Sequence, residues 1–303
     1  MPALLDVARV LPVNPVARTF RRIVSGDPQG RPEWIRALED GTDAGLFGPG
    51  SAPWAVHGST TTLIGGVRAL LLQALHPAAL AGVRDHSRYR DDALGRLAGT
   101  SRWLVTLTFG DSRAVERESA RVRGMHTRVR GLMLDPQGDL RPYAASDPHL
   151  LRWVHLAFTD SFLVAHEVWG AAIPGGPDAY VGEWGRAAEL LGLDDPPRSV
   201  VELRDQLHGY DDELDGGTDA REVARFILNP PLPLAARPAY AVLASAAVST
   251  LEPRHRELLE LTALPLTLTR PMAGALLRGL GVALGSTSPS ERAARQRLDR
   301  VLA

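Results

Sequence analysis

Residues 112–134 read SRAVERESARVRGMHTRVRGLML. On a wheel of about 100° per residue centred on His126, Val115, Val122, Val129 and Met133 all fall within roughly 60° of the histidine. Arg113, Arg117, Arg121 and Arg128 gather about 140–220° away, on the opposite side. The stretch therefore predicts one amphipathic helix running to about Leu134, with a histidine in the middle of its apolar face. It ends at the turn Asp135-Pro136-Gln137-Gly138. Arg123 and Arg130 lie roughly 40–60° from His126, at the border of the two faces.

The same periodicity extends in both directions, and strand-like alternation is scarce. An apolar helix from Thr62 runs through Leu70, Leu71, Leu72 and Leu75 to a kink or end near Pro77. A polar stretch, Arg84–Asp92, leads into a helix from about Ala93 to Thr108. Phe109-Gly110-Asp111-Ser112 stops that helix and caps the next. Asp147-Pro148 opens another through Trp169, with proline at the first helical position. Helical segments then continue through residues 170–220, broken by proline and glycine clusters, up to Asn229-Pro230-Pro231-Leu232-Pro233. Three more helices are expected near 236–249, 252–262 and 270–281. The expected fold is all-α: an N-terminal arm with short helices over residues 1–50 and a single multi-helix domain over 51–303.

Composition narrows the chemistry. The 303 residues are 45% hydrophobic and 23% charged, with a net charge of −1, which argues against a dedicated nucleic-acid binder with a strongly basic face. There is no cysteine, so disulfides, thiolate metal ligands and cysteine-held iron–sulfur clusters are excluded. All 34 basic residues are arginine, which removes lysine Schiff-base chemistry and the P-loop lysine. Met1 to Val13 lacks the basic start and apolar run of a signal peptide, and the apolar region Thr62–Val83 is interrupted by Arg68, Gln73, His76 and Pro77. The expectation is an intracellular, cytoplasmic protein without a membrane span.

Two roles fit His126. One is a core histidine bonded to a backbone carbonyl, the usual fate of a lone buried imidazole. The other is an axial metal ligand of the haem type, with Arg123 and Arg130 paired to propionates. The wheel alone favours the first. Arg96 and Thr100 share a helical face with Trp103 and Leu107, placing a cation and a hydroxyl together. A surface arginine and a threonine bonded to a backbone carbonyl fit that spacing equally well. His76 precedes Pro77, His86 follows in the polar stretch, and His155 and His166 share a helix about three turns apart. A non-haem site built from His76, His86 and His155 has no spacing to support it. No Gly-x-Ser-x-Gly elbow and no Gly-x-Gly-x-x-Gly after a strand is present.

The run from Gly65-Gly66-Val67-Arg68 through Leu75-His76-Pro77 resembles the MpaB-type oxygenases, a family that includes the rubber oxygenases (latex-clearing proteins). So do Arg96-Leu97-Ala98-Gly99-Thr100, Phe109-Gly110-Asp111, the helix around His126, Tyr143–Pro148 and Trp153-Val154-His155. The likeness covers roughly residues 55–275 in order. It implies an all-α fold with a globin-like core holding b-type haem, and oxidative cleavage of isoprenoid double bonds with dioxygen. His126 would then be the proximal iron ligand, with Arg96 and Thr100 on the distal side. Rubber oxygenases carry a lysine directly before that threonine, where this chain has Gly99, and Ala74–Val83 lacks their upstream carboxylate.

Together these readings give a haem b oxygenase acting with dioxygen on a small hydrophobic substrate. In this expectation Arg96 and Thr100 would be its catalytic residues; His126, Arg123, Arg130, His76 and His155 would surround the cofactor, and His126 would bind the iron. A haem sensor or carrier without turnover remains open, as does a helical protein with a non-haem metal or with no cofactor.

Overall fold

The computed structural model describes residues 31–87, 93–285 and 287–303, with Asp27 and Gln29; the side chains of Ala93, Leu94, Arg96 and Leu97 lie outside that description. Most of the expected N-terminal arm and the end of the polar stretch Arg84–Asp92 therefore fall outside the described residues. The described chain is mostly α-helical, with a single two-stranded sheet.

After a short helix α1 (Glu33–Arg36), α2 (Ala52–Gly58) leads to α3 (Thr62–Ala74) and α4 (Pro77–His86). The predicted break at Pro77 is a bend of 104°. His76 adopts an extended conformation there, and its ring Nδ1 accepts from the Ala78 N–H at 3.2 Å to cap α4. No single described helix is long and apolar enough to cross a membrane; α3 and α4 meet that test only as a bent pair.

Helix α5 (Ala93–Phe109) and helix α6 (Ser112–His126) are joined by Gly110 and Asp111. Asp111 caps α6 by accepting from Ala114 N–H at 2.9 Å. A Cβ at Gly110 would sit 2.4 Å from the Thr106 carbonyl oxygen, which explains glycine at the corner.

The predicted helix to Leu134 is overturned. Helix α6 stops at His126, and the chain folds into strand β1 (Arg130–Leu134) and strand β2 (Leu140–Ala144), an antiparallel pair with Leu132 opposite Pro142. The turn expected to end a helix is the hairpin loop: Asp135 Oδ1 accepts from Gln137 and Asp139 N–H groups, and Gly138 takes φ +87°. Val129 and Met133 do pack against the core, but from the hairpin. Their spacing satisfies helical periodicity, while Met133 also satisfies strand alternation between Leu132 and Leu134, which point outward. Arg130 is thus a strand residue, not a neighbour of His126 on a helix.

Asp147 caps α7 (Pro148–Trp169) by accepting from His149 N–H at 2.8 Å. This is the central helix. It packs along α3, with Gly65 against Phe162, and buries Trp153, Leu156, Phe158, Phe162 and Leu163. Helices α8 (Gly176–Glu189), α9 (Val200–His208) and α10 (Thr218–Leu228) follow, with a 3-10 turn at Asp211–Glu213. Helices α11 (Arg237–Ser249), α12 (Pro253–Leu258) and α13 (Leu266–Leu284) match the three expected near the C-terminus, α12 being shorter and α13 longer. A further helix, α14 (Pro289–Leu302), packs on α1 and α5. Its Arg297 is fully buried and donates to the Leu38 carbonyl at 2.9 Å.

Candidate functional site

His126 is the last residue of α6, and its ring is half-buried. Burial pushes its pKa below the ordinary imidazole value, so the ring is neutral with a free nitrogen lone pair. Nδ1 is buried and has no hydrogen-bond partner among the described residues. The ordinary role of a core histidine, bonded to a backbone carbonyl, is therefore not what the structure places here.

The neighbouring helix is held against α6 by Glu118, which is almost fully buried. It takes Arg102 of α5 at 3.1 Å and Arg121 at 2.6 Å. On α5, Trp103 is partly buried and its indole N–H is buried without a partner among the described residues. Its ring meets Phe158 edge-on at 5.7 Å and Trp184 at 5.8 Å. Thr100 stands three residues earlier and is exposed. Arg96 lies on the same helix, with its side chain outside the described residues.

Arg123 is exposed and donates to the Leu190 carbonyl, tying α6 to the end of α8. Arg130 is exposed on β1, and its carbonyl oxygen lies 3.1 Å from His86 Nε2. His155 lies on α7 with its pKa pushed down to about 3, chiefly by burial and further by Arg152 and Arg198. Its Nε2 is 3.5 Å from the Thr159 hydroxyl. A third neutral imidazole, His57, sits in an aromatic cage of Phe158, Phe162, Tyr180 and Trp184. Burial, with a smaller contribution from His166, holds it at about 3.

His76 belongs elsewhere. It converges with His149 and Glu213, whose ligating atoms and its own all lie within 4.8 Å of one another. Sequence reasoning missed both partners. His149 falls in the first turn of α7, as Asp147-Pro148 foretells, but Glu213 sits in the acidic run Asp211-Asp212-Glu213 with no spacing that ties it to either histidine. Among the described residues neither His86 nor His155 joins this group, so the three-histidine arrangement weighed from sequence does not form.

Comparison with known proteins decides the family. The model of the ER-bound oxygenase mpaB/B'/rubber oxygenase catalytic domain matches residues 54–285. The chain belongs to this family. It carries an oxygenase catalytic domain that includes α5, α6 and the hairpin, the central helix α7 and the His76 cluster. No curated protein and no solved structure matches the chain.

Proposed function

We propose that the protein is a haem b-dependent oxygenase in which His126 is the proximal iron ligand. The carrying observation is His126 itself: a neutral ring at a helix end, partly accessible, with a buried nitrogen that nothing in the described protein satisfies. That donor chemistry fits haem, for which a neutral imidazole is the commonest axial ligand. On the adjoining helix, Trp103 packs against Phe158 and Trp184, and the indole N–H groups of Trp103 and Trp184 are buried without partners among the described residues, an apolar aromatic wall with unused donors.

When bound, haem supplies the iron that activates dioxygen. The chain's own part is to bind, orient and exclude water. Helices α5 and α6 pack on each other and are joined by two residues, so the N-terminal half of α5 and the C-terminal end of α6 lie at the same end of the pair. Arg96 and Thr100 therefore come to the end where His126 stands, supporting a distal role in which the guanidinium and hydroxyl orient oxygen or a propionate. Arg123, three residues before His126, is the cation nearest to it along α6, while Arg130, carried away on β1, shares no helical face with it to support the expected propionate pairing. His155 and His57 are held neutral by burial, so they line the apolar interior without adding charge. The substrate in this reading is a small hydrophobic molecule, for which an alkene of the isoprenoid kind is the first to test.

Oxygen uptake tests the turnover. Haem-loaded protein consumes dioxygen when an isoprenoid alkene is added. A protein that shifts its visible spectrum with carbon monoxide but consumes no oxygen with any alkene is a sensor or carrier instead.

A further inference from the structure

Three segments far apart in sequence bring His76, His149 and Glu213 together: the bend between α3 and α4, the first turn of α7, and the 3-10 turn before α10. None of them is on the helix that carries His126. His149 Nε2 lies 2.9 Å from both carboxylate oxygens of Glu213, and His76 Nε2 lies 3.6 Å from one of them. His76 is only 4% exposed, and its Nε2 is buried without a hydrogen-bond partner while facing that carboxylate. His149 and Glu213 are open to solvent on the other side.

The Glu213 carboxylate, facing both imidazoles, makes the centre of this cluster a place for a cation. The Tyr210 hydroxyl donates to the His149 carbonyl at 2.8 Å, so its oxygen is left to accept from His149 Nδ1, which is 3.3 Å away. This contact holds the His149 ring with Nε2 toward the Glu213 carboxylate. A carboxylate set against two ring nitrogens is bridged by protons or by a metal ion.

We propose that His76, His149 and Glu213 form a binding site for a divalent transition-metal ion of the zinc class, clipping these three segments together. Two imidazoles and one carboxylate suit zinc and its neighbours, whereas magnesium and calcium prefer all-oxygen sets. Tyr210 is the outer partner that orients the ring of one ligand, as such sites commonly require. Ligation through His76 Nε2 moves its proton to Nδ1 and gives up the cap bond accepted from the Ala78 N–H, which weakens the site. Water fills the remaining positions on the open side.

The test is calorimetric titration of the purified full chain, freed of any affinity tag, with zinc and separately with magnesium, alongside thermal melts. The expected result is one zinc per chain, a raised Tm, and no magnesium binding. His149→Ala and Glu213→Gln each weaken zinc binding at least tenfold, as does His76→Asn, whose side-chain oxygen still caps α4. Zinc bound no tighter than millimolar, or equally tightly by all three variants, overturns the proposal. Neither outcome depends on haem, which is read separately from the visible spectrum.

Discussion

Arg68 on α3 donates to Asp160 on α7 at 2.5 Å inside the helical core, where both side chains are almost fully buried. The same guanidinium donates to the Ser161 hydroxyl at 3.0 Å and, through Nε, to the Thr250 carbonyl at 3.3 Å. One arginine thus ties α3, the central helix and the end of α11. Removing one partner strands a charge away from water. Arg68→Met is expected to cost about 3–5 kcal/mol, and Arg68→Met combined with Asp160→Leu to recover most of it. Urea unfolding measures both, and a double variant no more stable than the single one contradicts this reading.

Gly65 and Gly66, adjacent on α3, should respond oppositely to alanine. A Cβ at Gly65 would lie 3.1 Å from the Phe162 backbone and ring, so Gly65→Ala pushes α3 and α7 apart at about 1–3 kcal/mol. A Cβ at Gly66 meets nothing within 4 Å, so Gly66→Ala keeps only the helix-propensity gain of about 0.5–1 kcal/mol. Thermal melts should show Tm moving in opposite directions.

Acid should destabilise the fold through its buried histidines. His57 is held at about 3 in the fold against an ordinary 6.5. Between those values the unfolded chain binds a proton that the native state refuses. Stability is therefore greatest above pH 6.5 and falls as the pH drops toward 3, by up to about 1.4 kcal/mol per pH unit for each such group. His155, also at about 3, acts in the same direction. Unfolding free energies from neutral pH downward should show this slope, and His57→Phe should flatten it by up to one proton. A His57→Phe profile parallel to that of the unaltered protein is incompatible with a neutral buried ring.

Much of the helical fold was legible because proline and capping residues mark its boundaries: the Pro77 bend, the Asp111 cap and the Asp147-Pro148 start all stand where the sequence puts them. The hairpin was not, because Val129 and Met133 fit a helical face as well as Met133 fits a strand. The final helix was readable and was passed over: Ser288 followed by Pro289 and Glu291 is an N-terminal signature, and Ser288 indeed accepts from Glu291 N–H at 3.1 Å. His126 stands out in the sequence because Val115 and Val122 precede it on one helical face, whereas Val129 and Met133, which extend that face on a wheel, lie beyond the end of the helix. The grouping of His76, His149 and Glu213 could not be found there, because it exists only once three distant segments fold together.

Haem content after replacement of one side chain is the most direct test of the oxygenase reading. His126→Ala and the unaltered protein are expressed with a haem precursor, purified, and compared by visible spectrum and far-ultraviolet circular dichroism. The expected result is a Soret band in the unaltered protein and its loss in His126→Ala, with helical content the same in both. An undiminished Soret band in folded His126→Ala would show that the iron is held by another residue.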